Sequence, residues 1–230
     1  MLTIKDLTKS YGNKKALDGI DLTLPRGEIV GLFGENGAGK TTQITRLAEK
    51  LRAEGRRVLV TAEPTVSVTG GLLRDALGGI SRRTAGEMAA MFVLDRIFHN
   101  VNPVHGIEKM LADGVDVICD RYYYSSLAYQ GSETDFEWVA GMNLNCPEIR
   151  TPDCCIFLDL TPEQSLKRIS VGRVSREIYE EESRLQAVRD KFYHVFNLLK
   201  TRDTIRIIDA SGSVDEVAAR VSAAVEEVFA

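Results

Sequence analysis

The string GENGAGKT at residues 34–41 restricts this chain to few folds, because glycines, a lysine and a threonine at this spacing work only between a strand and a helix. Gly34, Gly37 and Gly39 let the backbone curl so that successive N–H groups point at phosphate oxygens. Lys40 then reaches the β and γ phosphates, and the Thr41 hydroxyl can hold Mg²⁺. The binding loop as a whole is Gly34, Glu35, Asn36, Gly37, Ala38, Gly39, Lys40, Thr41 and Thr42. Its flanks agree with this reading. EIVGLF at 28–33 is a short apolar run suited to a buried strand, and TTQITRLAEKLRAEG at 41–55 predicts an amphipathic helix.

A chain of 230 residues is long enough for one α/β domain with a real core and a small appendage. A net charge of −4 argues against a nucleic-acid surface, which clustered lysine and arginine would mark, so the ligands should be small. No run of 18 apolar residues occurs, and MLTIKDLTKSYG lacks the basic-then-apolar layout of a signal peptide. The expectation is a cytoplasmic protein with no membrane partner. Cys119, Cys146, Cys154 and Cys155 lie in or near expected strands without a Cys-x-x-Cys pair, which makes them core thiols.

Beyond residue 27 strands and helices alternate, the signature of a mostly parallel sheet with helices on both faces. Strands are expected at 28–33, 58–63, 115–119, 154–160 and 204–208. Thr161 with Gln164, and Ser213 with Glu216, are capping boxes that open helices. Ligands of such a sheet bind at the carboxyl ends of its strands, where Gly34, Glu63, Asp120 and Asp159 fall. The first 27 residues read differently, as two short strands with polar turns that form a β appendage to a domain over 28–230.

Two resemblances follow from longer motifs. Residues 1–42, with Tyr11, ALDGIDLTLPRGEIVGLFG and GENGAGKTT, resemble the start of an ABC transporter ATPase. The Leu-Ser-Gly-Gly-Gln signature and the Asp-Glu pair of that family are missing, since Arg121 follows Asp120 and Leu160 follows Asp159. From Gln43 to the C-terminus the chain resembles the thymidylate kinases, carried by TAEP at 61–64, MFVLDR at 91–96, DRYYYSSLAYQG at 120–131, PDCCIFLDLTPEQSLKR at 152–168, RVSREIYE at 173–180 and VRDKFYHV at 188–195.

The second resemblance implies ATP-dependent phosphorylation of dTMP with Mg²⁺, in a P-loop nucleoside monophosphate kinase that forms a homodimer. It implies that Arg96 and Arg121 grip the acceptor's phosphate, a task suited to guanidinium forks, and that Asp120 joins Thr41 at the metal. Phe92, one helical turn before Arg96, would stack on the base, Tyr129 would lie against the deoxyribose, and Ser125, Ser126, Gln130 and Glu63 would complete the acceptor pocket. Residues 172–178 would be a lid bringing Arg173 and Arg176 to the transferring phosphoryl group. Two departures from the family pattern stand out: Asn36 replaces a loop carboxylate, and Ala62 replaces an arginine before Glu-Pro.

Overall fold

In the computed structural model, which describes residues 2–11, 14–24, 27–34, 38–172 and 182–229, the apolar run after residue 28 becomes the central strand of a five-stranded parallel sheet. In chain order the elements are β1 (Leu2–Tyr11), β2 (Lys14–Leu24), β3 (Ile29–Gly34), α1 (Lys40–Ala53), β4 (Val58–Ala62), α2 (Val68–Leu77), α3 (Ala85–Val101) and α4 (Ile107–Ala112). There follow β5 (Asp116–Asp120), α5 (Tyr123–Glu133), α6 (Phe136–Leu144), β6 (Cys154–Asp159), α7 (Pro162–Gly172), α8 (Glu182–Leu199), β7 (Ile205–Asp209) and α9 (Val214–Phe229). The sheet order is β4-β5-β3-β6-β7, and every pairing in it is parallel. β1 and β2 pair antiparallel with each other and, at 10 and 11 residues, are longer than the short strands expected there.

Burial explains the layering. All six residues of β3 are buried, as a strand covered on both faces requires. Ile29 and Phe33 point into one cluster with Val117, Cys119, Cys155 and Phe157, packed under α3 to α6 and α8. Val30 and Leu32 point the other way, joining Ile118, Ile156 and Leu158 against Ile44, Leu47 and Leu51 of α1 and Val217 and Val221 of α9. Each expected core strand lies within one residue of its observed bounds at each end. Three cysteines sit in β5 and β6; Cys146, expected in or near a strand, instead lies in the loop after α6 and is half-buried. Among the described residues no helix is long and apolar enough to cross a membrane.

The helices begin where side chains satisfy their first amides. Thr161 and Gln164 bond reciprocally at 3.2 and 3.3 Å, and Ser213 and Glu216 do the same before α9. A third capping box, Thr84 with Glu87, opens α3. That helix carries the residues that tie the β4–α2 connection to the core. The buried Asp95 carboxylate accepts from the Thr65 amide at 2.8 Å, from the Thr65 and Thr69 hydroxyls at 2.7 Å each, and from Ser67 Oγ at 3.2 Å. Burial pushes the Asp95 carboxyl up, but the hydrogen bonds from Thr65, Thr69 and Ser67 outweigh it and leave the group below its ordinary value.

A carboxyl held low when folded contributes stability that is present above the unfolded value and lost as pH falls through the folded one. Asp95→Asn should therefore lower the urea unfolding free energy at pH 7 by about 1–3 kcal/mol. The deficit relative to the unmodified chain should shrink below about pH 4, where an unfolded aspartate takes up its proton. A deficit independent of pH would show that shape rather than charge holds the turn.

Candidate active site

Sheet register brings the ends of β3, β4, β5 and β6 to one edge: Leu32 pairs with Asp120, Ala62 with Asp120, and Gly34 with Leu158. At that edge the chain leaves β3 through Gly34, where an added Cβ would lie 2.8 Å from the Leu158 carbonyl oxygen. It enters α1 through Gly39, the N-cap, whose φ of 84° is left-handed. The amides of Lys40, Thr41 and Thr42 thus begin a 14-residue helix that no side chain of the described residues caps. An uncapped N-terminus of this kind favours anions through its free N–H groups and its dipole. Lys40 Nζ donates to the Gly34 carbonyl at 2.9 Å, which folds the lysine back over the loop. Ala38 is buried, while Thr41 and Thr42 are exposed. Glu35, Asn36 and Gly37 lie outside the described residues, as do Arg173 and Arg176 of the expected lid.

Asp120 ends β5 beside this loop, and one of its oxygens is buried with no hydrogen-bond partner; Ser125 Oγ is in the same condition. Orphaned buried oxygens are costly, and next to a phosphate loop they fit a hydrated cation and a phosphate-bearing ligand. The donor set at this edge, the Asp120 carboxylate and the exposed Thr41 hydroxyl, suits a cation such as Mg²⁺. Arg121 follows at φ 68°, the one non-glycine residue with positive φ among the described residues. Its guanidinium makes no hydrogen bond or ion pair with them. A strained residue presenting an unpaired cation is a mark of function rather than packing.

Arg96 behaves differently from its expected role. It is 1% exposed, and its Nε and Nη2 donate to Glu63 Oε2 at 2.9 and 2.6 Å. Nη2 also meets Ser126 Oγ at 3.2 Å, and Nη1 donates to Asn143 Oδ1. A guanidinium already neutralised by a buried carboxylate is a poor phosphate ligand, and Arg96 sits in a buried network with Glu63, Ser126 and Asn143 rather than facing the cleft. Phe92 lies one turn earlier on α3, half-buried and in neither core cluster. Tyr129 on α5 is half-buried and packs edge-on against Phe192 with centroids 5.8 Å apart, while Gln130 is buried. Burial first, and then the Glu63 carboxylate, push the Cys119 thiol and the Tyr122 phenol well up, so both stay neutral.

Asp159, at the end of β6, is engaged from α8 by Arg189 through two bonds of 2.7 and 2.8 Å and by Tyr193 at 2.9 Å. A cleft of ≈ 650 Å³ opens between α1, the end of β4 and α3, lined by Thr41, Ile44, Val60, Ala62, Pro64, Phe98, His99 and Asp120 among others. Sequence reasoning missed His99 and Asn143. A histidine three residues after Arg96 on one helix was a visible signal for the first.

A phosphate loop leaving the central strand of a parallel sheet, an acid ending the next strand, and an arginine held beyond it define a P-loop phosphotransferase. The thymidylate kinase family model matches residues 33–221. A protein from Pyrococcus horikoshii, named probable thymidylate kinase, is 35% identical over 87% of this chain and 97% of its own. Thymidylate kinases from Oleidesulfovibrio alaskensis and Desulfotalea psychrophila are 35% and 34% identical, over 85% and 83% of this chain and 96% and 90% of theirs. The chain belongs to the thymidylate kinase family, whose members are nucleoside monophosphate kinases. The resemblance of residues 1–42 to ABC ATPases finds no support in these matches, and its last ten residues, 33–42, fall inside the kinase match.

Proposed function

We propose that the chain phosphorylates dTMP with ATP, giving dTDP and ADP: an oxygen of the acceptor phosphate attacks the γ-phosphorus in line, and the bond to the β–γ bridging oxygen breaks. The carrying observation is the strained Arg121 beside the phosphate loop, without a hydrogen-bond or ion-pair partner among the described residues, and the orphaned oxygens of Asp120 and Ser125, in a chain of this family. Such transfers need alignment and positive charge more than covalent help. In this reading Lys40 follows the donor phosphates and Arg121 forks onto the acceptor phosphate, with Ser125 beside it. Thr41 and Asp120 hold Mg²⁺, which when bound draws charge from the β and γ oxygens. Arg96, Ser126 and Glu63 line the acceptor pocket, Phe92 stacks on the base, and Tyr129 and Gln130 face the sugar and its surroundings. Arg173 and Arg176 keep the lid role that the family resemblance gives them.

The test is ADP release measured with and without nucleoside monophosphates. Release should require an acceptor, and dTMP should be preferred to dCMP; fast hydrolysis indifferent to any acceptor would sink the reading. Arg121→Gly separates function from packing. It should cut dTMP-dependent release by about 10²–10³-fold. It should also leave the thermal midpoint unchanged or raised, because glycine relieves about 1 kcal/mol of left-handed strain.

We further propose a homodimer built on the outer faces of α2 and α3, supported by the exposed Val68, Leu72, Leu94, Phe98 and Val101. Residues 1–27 are read as an appendage outside the catalytic domain, supported by their self-contained pairing and by a family match that begins after them. A chain lacking residues 1–25 should sediment as a dimer and retain acceptor-dependent ADP release. A monomer, or loss of folding, would count against the dimer or the appendage respectively.

A further inference from the structure

The carboxylate of Glu63 is divided between two partners. Oε2 takes both Arg96 bonds, while Oε1 meets His99 Nδ1 at 3.1 Å. On the far side of the ring, Nε2 meets Thr61 Oγ1 at 2.8 Å. Because an ionised carboxylate only accepts, Nδ1 carries the proton, and in the neutral ring Nε2 receives the Thr61 hydroxyl proton. Glu63 and Arg96 are buried to within a few per cent, and His99 is 6% exposed where it touches the cleft. Glu63 directly follows Ala62, the position at which the family pattern has an arginine that this chain lacks.

We infer that His99 is a positioning residue for the acceptor: by holding Oε1 of Glu63, it leaves Oε2 alone to fix Arg96 in its fork against Ser126 and Asn143. Without the Nδ1–H donor, the carboxylate can turn and take Arg96 through both oxygens, which draws the guanidinium away from Ser126. Thr61 acts one step further out by fixing which ring nitrogen carries the proton. The effect is local to the acceptor side, since none of these groups hydrogen-bonds to the described part of the phosphate loop. The inference rests on the reading that Arg96 lines the acceptor pocket.

The experiment measures KM for dTMP, KM for ATP and kcat in His99→Leu, His99→Asn, Thr61→Val and Arg96→Lys. Asparagine places an amide donor near the position of Nδ1, so it should rescue what leucine loses. His99→Leu should raise KM for dTMP about tenfold with kcat and KM for ATP within about twofold, as expected when one buried hydrogen bond is removed from a binding site. His99→Asn should stay within about threefold of the unmodified enzyme, and Thr61→Val should fall between them. Equal effects of leucine and asparagine, or a fall in kcat and ATP binding alongside, would overturn the positioning role. If His99→Leu does not fold, the contrast between His99→Asn and Thr61→Val decides on the same readout: an unchanged KM for dTMP in Thr61→Val overturns the inference. Arg96→Lys should raise KM for dTMP by at least as much as His99→Leu. If it has no effect, the reading of Arg96 itself fails and the inference falls with it; if it alone acts, only the inference fails.

Discussion

The buried ion pair between Glu63 and Arg96 brings four parts of the chain to one polar point: the end of β4, α3, α5 through Ser126 and α6 through Asn143. Such a pair adds little net stability, because desolvating both charges offsets their attraction. Its value is geometric. Removing either partner would leave an uncompensated buried charge, at a cost of about 3–5 kcal/mol, so the arrangement is hard to leave once formed. The neighbouring residue does complementary work. Asp95 holds the turn over Thr65 to Thr69 while Arg96 holds Glu63, so two successive residues of α3 clamp both ends of the β4–α2 connection.

The strain at Arg121 is sustained from both sides. Before it, β5 is locked between β4 and β3, and the Arg121 amide still reaches the Leu32 carbonyl at 3.3 Å. After it come three fully buried tyrosines whose hydroxyls are all anchored, Tyr122 on Asn100 at 2.8 Å, and Tyr123 and Tyr124 on Asp203 at 2.6 and 2.8 Å. A tyrosine buried with its hydroxyl satisfied cannot easily move, so the residue ahead of the run is held in a conformation that it would leave if free. The same run links the pocket wall to the strained residue, since the Arg96 guanidinium lies 5.3 Å from the Tyr122 ring centroid.

Local patterns in the sequence were legible and distant pairings were not. The glycine spacing, the apolar runs of β3, β5 and β6, and two capping boxes announce themselves within a few residues of one another, because strand burial and helix caps are local physics. The third box, Thr84 with Glu87, carried the same signal. Arg96 shows the limit. Its residue type suits phosphate, but what decides its surroundings is Glu63, 33 positions away, and Asn143, 47 positions away. No periodicity encodes that meeting. Asp159 likewise fell at the expected edge of the sheet, yet Arg189 on a helix 30 positions later takes both its oxygens. The kinase motifs were readable because they are long; the shorter ABC-like stretch overlapped them at the phosphate loop, whose chemistry many nucleotide-binding chains share.

Charge at the carboxyl edge of the sheet follows from these pairings. Arg96 is neutralised by Glu63, and Arg189 by Asp159, so neither guanidinium has charge to spare for a phosphate. Ala62 opens onto the cleft where an arginine would have added a cation, and its methyl group contributes none. Arg121 has no protein partner among the described residues, and it sits between the orphaned oxygen of Asp120 and that of Ser125 in sequence. Under the proposed function, an acceptor dianion entering this edge depends more heavily on Arg121 than it would in a chain carrying both arginines. A single fork must then do the aligning as well as the neutralising, and a fork aligns only as well as its backbone is fixed. On that reading, the left-handed turn at Arg121 and the three anchored tyrosines behind it share in holding the acceptor, because they fix the backbone that aims the fork.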